Sequence, residues 1–190
     1  KDDFGRIAAQ TAKQVIIQRI REAEKSAVME EYGDREGDIV SGMVQKVERG
    51  TIFVDFQKAT GILPRQEQIQ GERFIQGQRI KAYLMSVEEG PKGVSLYLSR
   101  SHPNFIEALF AVESPEIANG IVEIKNVARE AGSRSKIAVH SNDESIDPIG
   151  ACVGQRGVRV STVMNELGGE KIDIIKWSED PIELVAASLS

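Results

Sequence analysis

The chain has 190 residues, 41% of them hydrophobic, and a formal net charge of -5 at pH 7. That length suits one large or two small folded domains, and the acidic balance argues against a protein that coats nucleic acid indiscriminately, since such coating rests on broad basic surfaces. No apolar run is long enough to cross a membrane, no signal-peptide pattern opens the chain, and the single cysteine, Cys152, excludes an internal disulfide or a cysteine-based zinc site and suits a reducing cytoplasm.

Residues 6–32 contain no proline or glycine, and Ala8, Ala12, Ile16, Ile20, Ala23 and Ala27 recur at helical spacing. One long helix is predicted, about 36 Å if 24 residues are helical. Its apolar stripe is narrow and its other faces carry Lys13, Arg19, Arg21, Glu22, Glu24 and Lys25. It reads either as a rigid connector or as a surface helix packed on the next domain, and the mid-pattern start at Lys1 is read as the tail of a longer N-terminal domain.

Gly33 ends the helix, and the period then becomes strand-like. Asp38–Val47, Thr51–Phe56, Thr60–Leu63, Arg79–Val87 and Val94–Ser99 are predicted as five short strands, a number and spacing that suit a small barrel. Gly37-Asp38-Ile39-Val40 with Val44 at the start, and Leu96-Tyr97-Leu98-Ser99 at the end, resemble the S1-type OB barrel of RNA-processing proteins. Alternation turns Val54, Phe56, Ile80, Ala82, Leu84, Val94, Leu96 and Leu98 inward and leaves Phe53, Arg79, Lys81, Tyr83 and Tyr97 outward. Basic groups and aromatics on one surface suit stacking of unpaired bases with phosphate neutralisation; the plainer reading is that Tyr83 and Tyr97 only cover the barrel wall. Arg49 and Pro64-Arg65 stand where many S1 relatives carry an aromatic and a histidine, and Phe53 matches the remaining aromatic after a one-residue shift. Arg65, Arg79, Lys81 and Tyr83 are therefore the barrel's leading candidates, with Phe53 and Tyr97 behind them, and the barrel is expected to bind RNA less strongly than the unit that follows.

Ser101-His102-Pro103-Asn104 leads into a helix over Phe105–Phe110 with no flexible linker, so a stiff junction is expected. His102 reads as a cap or surface residue. A strand at Ile121–Val127, another at Lys136–His140, a short helix after Asp147-Pro148, a longer one through Val160, Val163, Met164 and Leu167, and a last strand at Lys171–Trp177 complete the pattern. Between the two later helices lies Gly154-Gln155-Arg156-Gly157, where two glycines permit a sharp turn and close approach of backbone N–H groups to an anion. No acidic residue occurs between Asp147 and Glu166, so Arg156 and Arg159 give this stretch a local charge of +2. Alone, the turn reads equally as a tight helix connection with two solvated side chains. Cys152 reads as a buried small hydrophobe.

In that order of elements the turn resembles the GxxG loop of a type II (prokaryotic) KH domain, which clamps the backbone of about four nucleotides. The resemblance implies phosphates on Gly154, Gln155, Arg156 and Gly157 with Arg159 adding charge, and bases against Ile149, Val153 and the edge of the last strand at Ile172. It also implies a variable loop facing the GxxG, which puts Arg129, Arg134 and Lys136 forward as further contacts. Asp180-Pro181 caps a last helix over Ile182–Leu189 that is expected to have nothing to pack on and to begin a second, truncated KH unit.

The fold class is thus α+β and multidomain: connecting helix at 1–36, S1-type barrel at 37–100, KH domain at 101–178, and the start of a further unit at 179–190, with formal charges of -1, +2, -3 and -3. That order, with Asp3-Phe4-Gly5-Arg6-Ile7-Ala8-Ala9-Gln10 in the helix, Gly61-Ile62-Leu63-Pro64-Arg65 in the barrel and Ala128-Arg129-Glu130-Ala131-Gly132-Ser133-Arg134-Ser135 in the KH unit, resembles the NusA family of bacterial transcription elongation factors. The resemblance implies a monomeric, non-enzymatic cytoplasmic protein without cofactor or metal. Its implied partners are nascent single-stranded RNA, RNA polymerase through a mostly missing N-terminal domain, and antitermination factors, and its implied role is to modulate pausing, termination and antitermination. A ribosomal or translational RNA binder, or the RNA-binding part of a KH/S1-containing ribonuclease, is the alternative; no P-loop, Ser-His-Asp arrangement or metal-spaced carboxylate cluster supports catalysis.

Overall fold

A computed structural model describes residues 2–190. Helix α1 spans Asp2–Tyr32, and its side chains are exposed from Asp3 to Glu24. Only its end is held: Val28 is buried in the barrel core, Tyr32 meets Phe56 edge-on at 6.0 Å, and Lys25 reaches Glu89 at 3.7 Å. Most of the helix therefore projects as a rod, because its weakly apolar stripe has no described neighbour to bury it.

Five strands follow: β1 (Ile39–Glu48), β2 (Thr51–Asp55), β3 (Thr60–Leu63), β4 (Arg79–Gly90) and β5 (Gly93–Ser99). They close in the order β1-β2-β3-β5-β4, with β3 and β5 parallel and the other pairs antiparallel. The alternation predicted for the inward face holds: Val54, Leu84, Leu96 and Leu98 are fully buried. Register shifts at Val44/Lys46 and Leu84/Ser86 bend the strands as closure of so small a barrel requires.

The second unit begins with α2 (Pro103–Glu113), a short α3 (Pro115–Ala118) that the sequence reading missed, β6 (Val122–Glu130) and β7 (Arg134–Ser141). Then come α4 (Pro148–Val153), a single 3₁₀ turn at Gln155–Gly157, α5 (Val158–Glu166), β8 (Lys171–Lys176) and α6 (Pro181–Leu189). The sheet runs β6-β7-β8, antiparallel then parallel. The three expected caps form: Asn104 N donates to His102 Nδ1 at 3.0 Å, Ile149 N to Asp147 Oδ1 at 3.1 Å, and Ile182 N to Asp180 Oδ1 at 2.9 Å. Helix α6 is not unpacked as expected, since Lys136 Nζ donates to the Ser188 carbonyl and the helix rests against β8.

Cys152 is fully buried, and desolvation pushes its thiol up to about 12. Native labelling by a disulfide reagent near pH 8 is expected to run about a thousandfold slower than labelling in urea, because the thiolate is the reacting species. Equal rates in the two conditions would show that the thiol is accessible.

The junction between the two units is a shared core. Ile69, from the β3–β4 connection, is buried among Phe105, Ile106 and Leu109 of α2, and Tyr83 stacks on His102 at 4.8 Å and 17°. Arg100, 2% exposed, donates to both carboxylate oxygens of Glu72 at 2.8 Å, to the side chain and carbonyl of Glu166, and to the carbonyl of Lys81. Burial opposes its charge, but the two carboxylates outweigh that and raise its pKa. One guanidinium thus ties the barrel, its β3–β4 connection and the C-terminal end of α5 together, a physical reason for the stiff junction expected from the missing linker.

Candidate nucleic-acid interface

Three of the four residues at the turn between α4 and α5 have positive φ: Gly154 at 74°, Arg156 at 55° and Gly157 at 73°. For an arginine this left-handed conformation costs about 1 kcal/mol, and it leaves Gln155 and Arg156 exposed at the tip. Arg49 at 51° and Gln57 at 70° share this conformation in barrel turns, so it makes Arg156 a candidate only together with its place between α4 and α5.

The two glycines have different physical reasons. A Cβ on Gly157 would find its nearest neighbour, Val160 Cγ1, only at 4.0 Å, so that side of the turn is open. A Cβ on Gly154 would lie 2.6 Å from Arg159 Cγ, so the space that Gly154 leaves is taken by protein. Arg159 does not stand free beside the turn as expected. Its Nη1 donates to the Ala151 carbonyl at 2.7 Å and to Glu116 Oε2 at 2.9 Å, bracing α4 and α3 from beneath. Glu116's own backbone N–H, then the Ser114 hydroxyl and Arg159, outweigh desolvation and hold its carboxyl below the usual range. A depressed folded-state pKa means the brace is complete at neutral pH and is lost only as acid is added through that depressed value.

Other predicted contacts are relocated by the fold. Arg129 has no exposed side-chain surface: it pairs with the equally buried Glu170 at 3.2 Å and donates to the His102 carbonyl at 2.8 Å, so it has no face for a phosphate. Glu170, which sequence reasoning missed, also accepts from Gly132 N at 2.7 Å and Ser135 Oγ at 2.9 Å. The β6–β7 turn accordingly does not face the GxxG. A Cβ on Gly132 would lie 2.9 Å from Ile69 Cγ2, which places this turn against the barrel, and Lys171 N donates to the Ser133 carbonyl. Arg134 is exposed there, at the end of the sheet that α5 reaches only at its C-terminus. Ile172 points into the core at 8% exposure and is no base wall, whereas Ile149 and Val153 are half-buried beside the turn. Lys136 is half-buried, and its ammonium is engaged by the Ser188 carbonyl of α6.

On the barrel the expected single surface divides in two. Lys46, Phe53, Ile62 and Tyr97 form one outward cross-strand row over β1, β2, β3 and β5, with Lys46 Nζ 4.9 Å from the Phe53 ring centre. Arg79, Lys81 and Tyr83 lie on the β4–β1 seam opposite Met43, Ser41 and Ile39. In the cyclic strand order β3 lies across the barrel from that seam, so the two sets face opposite ways. Tyr83 spends one ring face on His102, while Arg79 and Lys81 are exposed. Arg65 is exposed on a 3₁₀ turn, its stem against Gly50.

The described residues contain no cluster of metal-ligating side chains, and no described helix is long and apolar enough to cross a membrane. At the turn, Arg156 is the exposed cation, while Arg159 is paired with Glu116.

Comparison with known proteins follows the same division. Family models match residues 2–26 as a NusA N-terminal domain, 34–99 as an S1 RNA binding domain and 100–177 as a NusA-like first KH domain. Proteins named transcription termination/antitermination protein NusA are similar throughout: that of Halalkalibacterium halodurans is 54% identical over 188 residues, covering 99% of this chain and 49% of the relative. The Bacillus subtilis protein is 52% identical over 188 residues, covering 99% and 51%, and that of Thermus thermophilus 47% over 190 residues, covering 100% and 49%. The chain spans about half the length of these curated relatives.

Proposed function

The chain belongs to the NusA family, and from that premise we propose that it holds single-stranded nascent RNA near RNA polymerase and so modulates pausing, termination and antitermination. Division at 1–36, 37–100, 101–178 and 179–190 assigns the connecting helix, barrel, KH domain and the start of a further unit. The KH domain supplies the main grip: phosphates lie over Gly157 with Arg156 and Gln155 at the tip, and bases rest on Ile149 and Val153. Arg65, Arg79, Lys81 and the Phe53–Tyr97 row are weaker barrel contacts, and Arg134 is an outlying one. The work is cytoplasmic and needs no cofactor; RNA polymerase and antitermination factors are the protein partners. The family reading points away from an enzyme.

The observation that carries this reading is the strained Arg156 on a turn whose Gly157 side is open. Arg156→Ala is expected to weaken single-stranded RNA binding and reduce the slope of log affinity against log salt by about one unit, while leaving thermal stability near the parent value. Unchanged affinity and slope in a fluorescence titration would count against the assignment.

A further inference from the structure

Between the barrel seam and the KH helices lies a cavity of about 210 Å³, a volume equal to about seven waters at ~30 Å³ each. Ile39 from β1, Leu109 and Val112 from α2, and Val163 from α5 supply its apolar walls, with Ser41, Lys81, Glu113, Thr162 and Glu166 as its polar groups, the Glu166 carboxylate being held by Arg100. Neither unit forms it alone. Arg100 fixes its width by binding Glu72, the Lys81 carbonyl and Glu166, the last two of which belong to residues lining the cavity.

Its position relative to the clamp is set by α5. This helix starts immediately after Gly157, and Val158, Thr162 and Glu166 fall at i, i+4 and i+8, on one stripe. Val158 is 61% exposed next to the turn, while Thr162 and Glu166 line the cavity. The rise from Gly157 to Thr162 is about 8 Å. A strand leaving the clamp along this stripe, which carries no charge before Glu166, arrives at the cavity within a short run of nucleotides.

We infer that this interdomain cavity receives one unpaired nucleobase of the RNA whose backbone the GxxG turn holds. The inference rests on the RNA reading above. Apolar walls suit the faces of a base turned out of its stack, and a carboxylate and an ammonium suit the amino and carbonyl groups of its edge. Lys81 is then an edge contact inside a composite site rather than a general phosphate contact on the barrel, and the barrel contributes to binding by walling a pocket.

The test uses a ~12-nucleotide mixed-sequence single-stranded RNA, several times the four-nucleotide clamp, and a series carrying one abasic position each. Val112 is 70% exposed at the cavity rim, so Val112→Trp places bulk at the cavity mouth without disturbing a core; Lys81→Ala removes the edge donor and leaves the cavity open. With the unmodified chain, one abasic position outside the clamp is expected to cost about tenfold in affinity, as a lost base contact does. Val112→Trp is expected to weaken the intact RNA about tenfold and erase the sensitivity at that position, with Lys81→Ala giving a smaller loss. Parent-like binding by both variants, or abasic sensitivity that persists in Val112→Trp, overturns the pocket. If Gly157→Asp loses binding in the same experiment, the clamp reading survives that overturn; an unmodified chain that binds none of the RNAs overturns both.

Discussion

Replacing Gly157 with aspartate is expected to lower affinity for single-stranded RNA about a hundredfold while the KH domain still folds. The open side of Gly157 is where a phosphate is proposed to sit, and a carboxylate placed there meets a like charge. At 4 Å and an effective dielectric near 20 that repulsion is about 4 kcal/mol before salt screening, so a loss of about 3 kcal/mol is a moderate expectation. The structural cost is smaller. Nothing lies within 4 Å except Val160 Cγ1 at that limit, so there is no clash, and the φ of 73° costs a non-glycine residue about 1 kcal/mol, less for aspartate or asparagine. Gly157→Asn separates the causes: it carries the same backbone strain without the charge and should lose at most a few-fold. Titration of labelled RNA, with a urea melt of each variant, reads both quantities. Retained affinity in Gly157→Asp, or equal loss in the two variants, would remove the electrostatic account.

The largest expected effect on stability lies away from the turn, at Glu170→Ala. Glu170 is completely buried and satisfies the Arg129 guanidinium, Gly132 N and the Ser135 hydroxyl together. Removing it strands a buried cation and two further donors, a loss of about 3–5 kcal/mol. Because Gly132 also packs on Ile69, the β6–β7 turn should loosen from the barrel, and Cys152 should label faster in the same variant. The pair Arg129→Met with Glu170→Leu should recover much of the loss, since a buried ion pair is worth little relative to apolar groups of similar size. A urea transition for Glu170→Ala within 1 kcal/mol of the parent value would show that water reaches this site and that Arg129 is more available than its burial indicates.

Arg129 and Arg159 carry the same lesson by different routes. The KH resemblance makes each a phosphate contact, Arg159 from its place after the GxxG turn and Arg129 from its place at the expected variable loop. Each instead binds a carboxylate that is distant in the chain, 41 residues away for Arg129 and 43 for Arg159. Sequence alone cannot distinguish an arginine that satisfies the protein from one offered to a ligand, because the distinction depends on which acid the fold delivers. Glu170 gave one weak signal: a lone acid between Gly168-Gly169 and an apolar strand is poorly placed for a solvated face. Arg100 gave a similar one, directly after the alternating run of β5.

What the sequence by itself determined is the part governed by local rules. The alternation of Val94, Leu96 and Leu98 set the inward face of β5, Asp147-Pro148 set the start of α4, and the two glycines set a turn after it, because each depends on φ, capping or side-chain period within a few residues. What only the tertiary structure decided is which exposed chemistry remains available. Barrel closure placed Phe53 and Tyr97 on one side and Arg79 and Lys81 on the other. Docking of the two units took one ring face of Tyr83 and created a cavity that neither unit has alone, while folding of the KH unit by itself paired Arg129 with Glu170. Those outcomes follow from contacts between residues far apart in the chain, for which no local pattern exists.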